Sequence, residues 1–134
     1  MTVQLEKGVG GLVRLENARG GNFYTRVSIN GVSVRAMVDT GASSVAVSPT
    51  AAVRMGLDRR PFVSGWSQTA NGVTQVRHVV LNRVELQGNV IEGVGGVILS
   101  KDMGRDFDVL LGMSFLKSFE VNTAGGVMTL QPRY

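Results

Sequence analysis

Short apolar runs rich in Val, Leu, Ile and Thr recur along the chain, separated by glycines and Asn-Gly pairs, with little helical period between them. That rhythm predicts a mostly β domain with one or two short helices. The clearest unit runs from Phe23 to Val38, where Asn30-Gly31 is a two-residue hairpin turn of the kind that needs positive φ at both central positions. Such a turn sets the register. Ile29 falls opposite Val32, Val27 opposite Val34, Thr25 opposite Ala36 and Phe23 opposite Val38, a face that is apolar except for the threonine. Arg26 and Arg35 oppose each other on the other face, beside Ser28 and Ser33, which predicts a wet surface or a nearby carboxylate.

Asp39-Thr40-Gly41-Ala42-Ser43 follows, then an apolar strand from Val45 to Val47. Ser48-Pro49 reads as an N-cap and first helical residue, opening a short helix to about Met55 that Gly56 stops. Strands are expected from Phe62 to Thr69 and from Val73 to Leu81 around the turn Ala70-Asn71-Gly72, then at Val84 to Gln87 and Val94 to Leu99. A loop holding Asp102, Asp106 and Asp108 leads into Val109-Leu110-Leu111-Gly112 and a short helix, Met113 to Phe119. Val121 and Val127 to Leu130 make a last hairpin around Ala124-Gly125-Gly126, ending in a strand available for pairing. Residues 1–20 read as an N-terminal extension or strand and 21–130 as the core of a single domain.

Composition narrows the chemistry. The 134 residues suffice for one self-supporting core, and eighteen glycines against three prolines fit a chain of tight turns. The absence of cysteine removes thiol nucleophiles, disulfides, iron-sulfur clusters and thiolate zinc sites together. His78 is the only histidine, so metal chemistry loses its usual ligands and a serine hydrolase has at most one base. The +4 charge is scattered and lacks a basic groove with interleaved aromatics, which argues against nucleic acid as a partner. No run approaches the roughly 20 apolar residues of a membrane span, and the first residues lack the apolar stretch of a signal peptide.

Carboxylates remain as general acids and bases. Asp39 stands out among ten acidic residues because it ends an apolar strand and is followed at once by the tight turn Thr40-Gly41, a setting that predicts a half-buried side chain. Asp102, Asp106 and Asp108 read instead as a solvated loop, with no metal site. His78 reads as an exposed strand position beside Arg77, Trp66 as a packing residue, and Met37, Met55, Met113 and Met128 as core filling.

Val38-Asp39-Thr40-Gly41-Ala42-Ser43 resembles the active-site loop of aspartic proteases, in particular the single-lobe, retropepsin-like members of bacterial type. Phe107 to Leu116, containing Val109-Leu110-Leu111-Gly112, is similar to the segment that packs behind that loop, and Thr69-Ala70-Asn71-Gly72 falls where the family carries its flap. The resemblance spans roughly Gly21 to Leu130. It implies a closed β-barrel or sandwich acting as a two-fold homodimer without cofactor or metal, since peptide hydrolysis by this route takes two carboxylates and the chain holds one Asp-Thr-Gly. By resemblance, Asp39 is the catalytic carboxylate, Thr40 braces the loops across the dimer axis, and Gly41 allows close backbone approach. Ala42 supports the loop, Ala70, Asn71 and Gly72 close over an extended peptide, and Ala42, Val45 and Leu110 line side-chain pockets.

Viral members carry Asp and Arg where this chain has Ser43 and Met113, so dimer support is expected elsewhere, for instance at the terminal strand Val127 to Gln131. Ala42 in place of a hydroxyl residue removes one hydrogen bond to the dyad, which implies a less acidic optimum than in two-lobed relatives. Two alternatives stay open, a catalytically silent dimeric peptide-binding module and a protease restricted to self-processing. The bacterial relatives also imply a periplasmic or cell-envelope location, with membrane contact only through an anchor outside this sequence.

Overall fold

The computed structural model describes residues 10–16, 20–69, 72–104 and 106–134. Among these residues ten strands and two short α-helices follow in the order β1 (Val13–Glu16), β2 (Tyr24–Ile29), β3 (Val32–Val38), β4 (Val45–Val47), α1 (Pro49–Arg54), β5 (Val63–Thr69), β6 (Gly72–Leu86), β7 (Asn89–Ile98), β8 (Val109–Leu111), α2 (Met113–Leu116), β9 (Phe119–Ala124) and β10 (Val127–Pro132). A 3₁₀ turn at Leu57–Arg59 follows α1.

Six strands in the order β2-β3-β8-β4-β7-β6 form one sheet that closes on itself, because β2 also pairs with β6 through Ser28–Glu85 and Ile29–Val84. The mostly β architecture expected from the turn rhythm is therefore a closed six-stranded barrel. β5 attaches outside it, among the described residues to β6 alone, so β5 and the first half of β6 form an arm that runs past the barrel wall. β1, β10 and β9 form a separate three-stranded sheet.

Local chemistry explains most of these elements. Asn30 and Gly31 adopt φ of 50° and 85°, and the β2–β3 register they impose runs from Tyr24–Met37 to Ile29–Val32. Arg26 does sit opposite Arg35: it stays exposed and bonds the Ser33 hydroxyl at 3.1 Å, while the Arg35 guanidinium lies 4.7 Å from the centre of the Tyr24 ring. Ser48 caps α1 by accepting the Ala51 N–H at 3.3 Å, and Gly56 ends it at a φ of 74°. The barrel interior is filled by Ile29, Val34, Leu81, Leu111, Phe115 and their neighbours, all at or near zero exposure.

The structure departs from the pattern-based expectation in three places. The expected strands Val73 to Leu81 and Val84 to Gln87 fuse into one, β6, which ends at Leu86 with Gln87 in the turn beyond it. Its burial changes phase, with Val79 and Leu81 buried before Asn82-Arg83 and Val84 and Leu86 after, opposite Gly93 at a φ of 65°. An alternation that slips by one residue reads as a strand break. The helix expected to reach Phe119 stops at Leu116, because Phe119 is buried in β9 opposite Pro132. The terminal strand has no free edge, since β10 is paired by β9 on one side and β1 on the other, so the edges of that sheet are β1 and β9. Residues 1–20 contribute β1; residues 1–9 and 17–19 lie outside the described residues, as do Ala70 and Asn71 of the arm's turn.

Candidate active site

Asp39 is the first residue after β3, the strand that carries Val38 into the barrel. β3 runs parallel to β8, pairing Val38 with Leu111, and the Asp39 N–H donates to the Leu111 carbonyl at 3.1 Å. The chain then turns sharply, with the Ala42 N–H donating back to the Asp39 carbonyl at 3.2 Å. This turn presents the Gly41 N–H to the Asp39 carboxylate, which accepts it through Oδ1 at 2.9 Å. A β-carbon on Gly41 would lie 3.3 Å from that same oxygen, so glycine leaves room for the close approach.

The loop is held from behind by the second motif. Met113 and Ser114, at the start of α2, donate their N–H groups to the carbonyls of Ala42 and Ser43 at 2.8 and 3.0 Å. The Ser114 hydroxyl accepts the Val45 N–H at 3.0 Å and donates to the Gly95 carbonyl at 2.6 Å, tying α2 to β4 and β7. These bonds leave Asp39 half-buried and Thr40 exposed.

Asp39 and Ala42 open onto a cleft of about 1230 Å³. Ala46, Val97 and Leu110 make its apolar floor, a small core on the outer face of the barrel completed by Val76. The arm forms one wall and the segment from Leu99 to Met103 contributes to another. Thr74 on the arm and Ser100 approach through their hydroxyls at 3.2 Å.

The expected site residues are distributed as follows. Asp39, Gly41, Ala42 and Leu110 line the cleft together. Gly72 is at the far end of the arm, paired with Thr69, with a φ of 104°. Val45 does not line a pocket: it is wholly buried in the barrel, and in a strand its neighbour Ala46 points the opposite way, to the cleft. Trp66 is not packed either, being 69% exposed on the arm and lining the cleft, because β5 lies outside the barrel and has no core beneath it. Met37 is likewise a cleft residue and Met113 is exposed, whereas Met55 and Met128 are core.

His78 is exposed, as expected, but its ring covers Gly65, whose β-carbon would lie 2.6 Å from Nε2, and it borders the cleft. Ala46, Val97 and His78 are cleft residues that sequence reasoning missed; the alternation of the strands carrying them was the available signal. Asp102 is tied to the start of α1, accepting the Thr50 hydroxyl at 2.7 Å and its N–H at 3.2 Å, and Asp108 accepts the Ser48 hydroxyl at 3.3 Å. Among the described residues no cluster of His, Asp or Glu is arranged to hold a metal ion.

This arrangement has a counterpart among known proteins: the family described as gag-polyprotein putative aspartyl protease matches residues 25–118, from β2 through α2. The chain belongs to that family. A retropepsin-like aspartic protease from Rickettsia conorii has the same fold in its crystal structure, with a TM-score of 0.77 and 29% identity over 91% of each chain. Among curated relatives, an uncharacterized protein of a Sinorhizobium species is 32% identical over 111 residues, and one of Rickettsia prowazekii is 31% identical over 111 residues. The chain spans about half the length of these two relatives, 46% of each. The DNA damage-inducible protein 1 of Phaeosphaeria nodorum is 32% identical over 102 residues, 22% of its length. Within this aspartyl protease family fold, the matched segment contains both motifs and the whole arm.

Proposed function

We propose that the chain is an aspartic endopeptidase that cuts extended polypeptides as a homodimer. The observation that supports this best is the Asp39 carboxylate, half-buried, fixed by the Gly41 N–H and facing the cleft in a chain of aspartyl protease fold. Each chain supplies one such aspartate, so a two-fold axis brings two Asp39 carboxylates together to share one proton. Aspartic protease dyads are the standard example of that sharing.

The ionised carboxylate takes a proton from a water held between the two. The water oxygen bonds to the peptide carbonyl carbon, the protonated carboxyl supplies a proton, and the C–N bond breaks with the amine leaving protonated. Thr40, exposed beside Asp39, braces the paired loops across the axis. The arm acts as the flap, with Ala70, Asn71 and Gly72 closing over the substrate, while Leu110 and Ala42 contact side chains. Substrate main chain pairs with the outer edge of β5, as extended peptides do at open sheet edges.

The test is digestion of an unfolded protein from about pH 3 to 7 by the wild-type chain and by Asp39→Asn. The expected result is cleavage by the first alone, with a bell-shaped pH profile because the dyad must hold one proton. Cleavage by both removes Asp39 from catalysis. Absence of cleavage by both favours a silent peptide-binding module or a self-processing enzyme.

A further inference from the structure

The root of the arm leaves a second group of large apolar side chains in water. Val63 is 70% exposed, Val80 58% and Phe62 46%, and with Pro61, His78 and Val79 they line a hollow of about 290 Å³ separate from the cleft. Single exposed valines are ordinary, but bulky apolar groups gathered around a concavity mark a place where another apolar group docks.

Position says which group. Val63 pairs with His78, and the alternation of β6 puts His78 and Val80 on the same face as Val76, whose side chain helps build the cleft floor. His78 borders both the cleft and the hollow, so the hollow continues the cleft outward with His78 as the ridge between them. The Arg77 guanidinium lies 5.4 Å from the centre of the Phe62 ring and steadies that side of the hollow. Among the described residues β5 pairs only with β6, so Val63 begins a strand at the margin of the sheet along the same route.

We propose that this hollow is a distal subsite that receives an apolar side chain of the substrate polypeptide several residues from the cut bond. The inference rests on the proteolytic reading above and adds a specificity determinant outside the cleft. An extended chain advances about 3.3 Å per residue and turns every second side chain to the same face. A substrate continuing across His78 therefore offers alternate side chains to Val63, Val80 and Phe62.

The test first locates the main cut in oxidised insulin B chain. Peptides of about six and about twelve residues around that cut, roughly 20 and 40 Å when extended, are then synthesised with an apolar residue in the added length. The wild-type chain is expected to prefer the longer peptide about tenfold in kcat/KM, through KM. In Val63→Thr with Val80→Thr, which keeps both side chains β-branched and of similar shape, the ratio is expected to fall to about one. A ratio that keeps its wild-type value in this variant overturns the inference alone. Failure of the wild-type chain to cut either peptide overturns the proteolytic reading and the inference with it. A changed sedimentation coefficient in the variant assigns the hollow to contact with a second copy of the chain and overturns the inference as well.

Discussion

A β-carbon on Gly112 would lie 2.8 Å from the carbonyl oxygen of Ala42, closer than real side chains approach backbone oxygen, and would collide with the Ser44 carbonyl too. The start of α2 and the Asp39 loop are thus in direct backbone contact, and both colliding atoms are main chain that cannot rotate away. Gly112→Ala is expected to cost about 3 kcal/mol or more by overpacking. Gly95→Ala, whose β-carbon meets Ser114 at 3.8 Å, is expected to stay within about 1 kcal/mol. Urea denaturation of the two variants checks the contrast, and equal losses would show that the loop yields.

If two Asp39 carboxylates form the site, the chain and its Asp39→Asn variant assort into mixed dimers that carry one carboxylate. Equal amounts of the two, allowed to exchange, should retain about a quarter of the activity per total dimer, against half for independent monomers. Asparagine keeps an Oδ1 to accept the Gly41 N–H, so the variant should fold as the wild type does. Specific activity should also fall on dilution as dimers dissociate. Activity that is linear in wild-type fraction and independent of dilution would mean that one chain suffices.

Asn89 is wholly buried and uses all of its hydrogen-bonding capacity. Its Oδ1 accepts the Gly10 N–H at 2.9 Å and the Tyr134 hydroxyl at 3.0 Å, while Nδ2 donates to the carbonyls of Gly11 and Leu86 at 3.0 and 3.3 Å. One side chain thereby pins both the segment before β1 and the last residue to the β6–β7 hairpin. Asn89→Ala strands several of these groups and is expected to cost about 3 kcal/mol, lowering Tm by roughly 10 °C. Calorimetry decides it; a Tm unchanged by the substitution would show that water replaces the amide without penalty.

Burial raises the pKa of Tyr134 from its ordinary 10.0, because the phenolate is poorly solvated beside the fold. The folded protein then holds this proton to higher pH than the unfolded chain. The stability from the neutral hydroxyl is complete below about pH 10 and is lost as pH rises toward the raised value. Tyr134→Phe should cost about 1 kcal/mol at neutral pH, through the lost bond to Asn89. It should also flatten the decline above pH 10, which denaturant titrations at several pH values will show. Parallel alkaline declines in the two proteins would remove Tyr134 as the titrating group.

Where one short signal governs local geometry, the chain was readable in advance. Asn30-Gly31 imposed the β2–β3 pairing across its whole length, and Ser48-Pro49 and Gly56 bounded α1. Where two strands change together it was not: the phase slip at Asn82-Arg83 is matched by the left-handed Gly93 on the neighbouring strand, so one long strand looked like two. Trp66 and Val45 were misplaced for a related reason. Alternation says that successive residues face opposite sides, but not which side is core, and the arm that carries Trp66 outruns the barrel altogether.

The sequence by itself singled out Asp39 and the kind of turn that holds it. Asp-Thr-Gly after an apolar strand, with an apolar segment ending in glycine far down the chain, needs no coordinates to suggest an acid held in a tight turn, since turn chemistry is local and residue-specific. Only the tertiary structure decided what surrounds that acid. The contacts of Gly112 with Ala42 and Ser44, the floor of Ala46, Val97 and Leu110, the ridge at His78 and the enclosure of β10 all join residues distant along the chain. Their positions follow from closing a six-stranded sheet on itself, a cooperative event to which every strand contributes and which no single segment encodes.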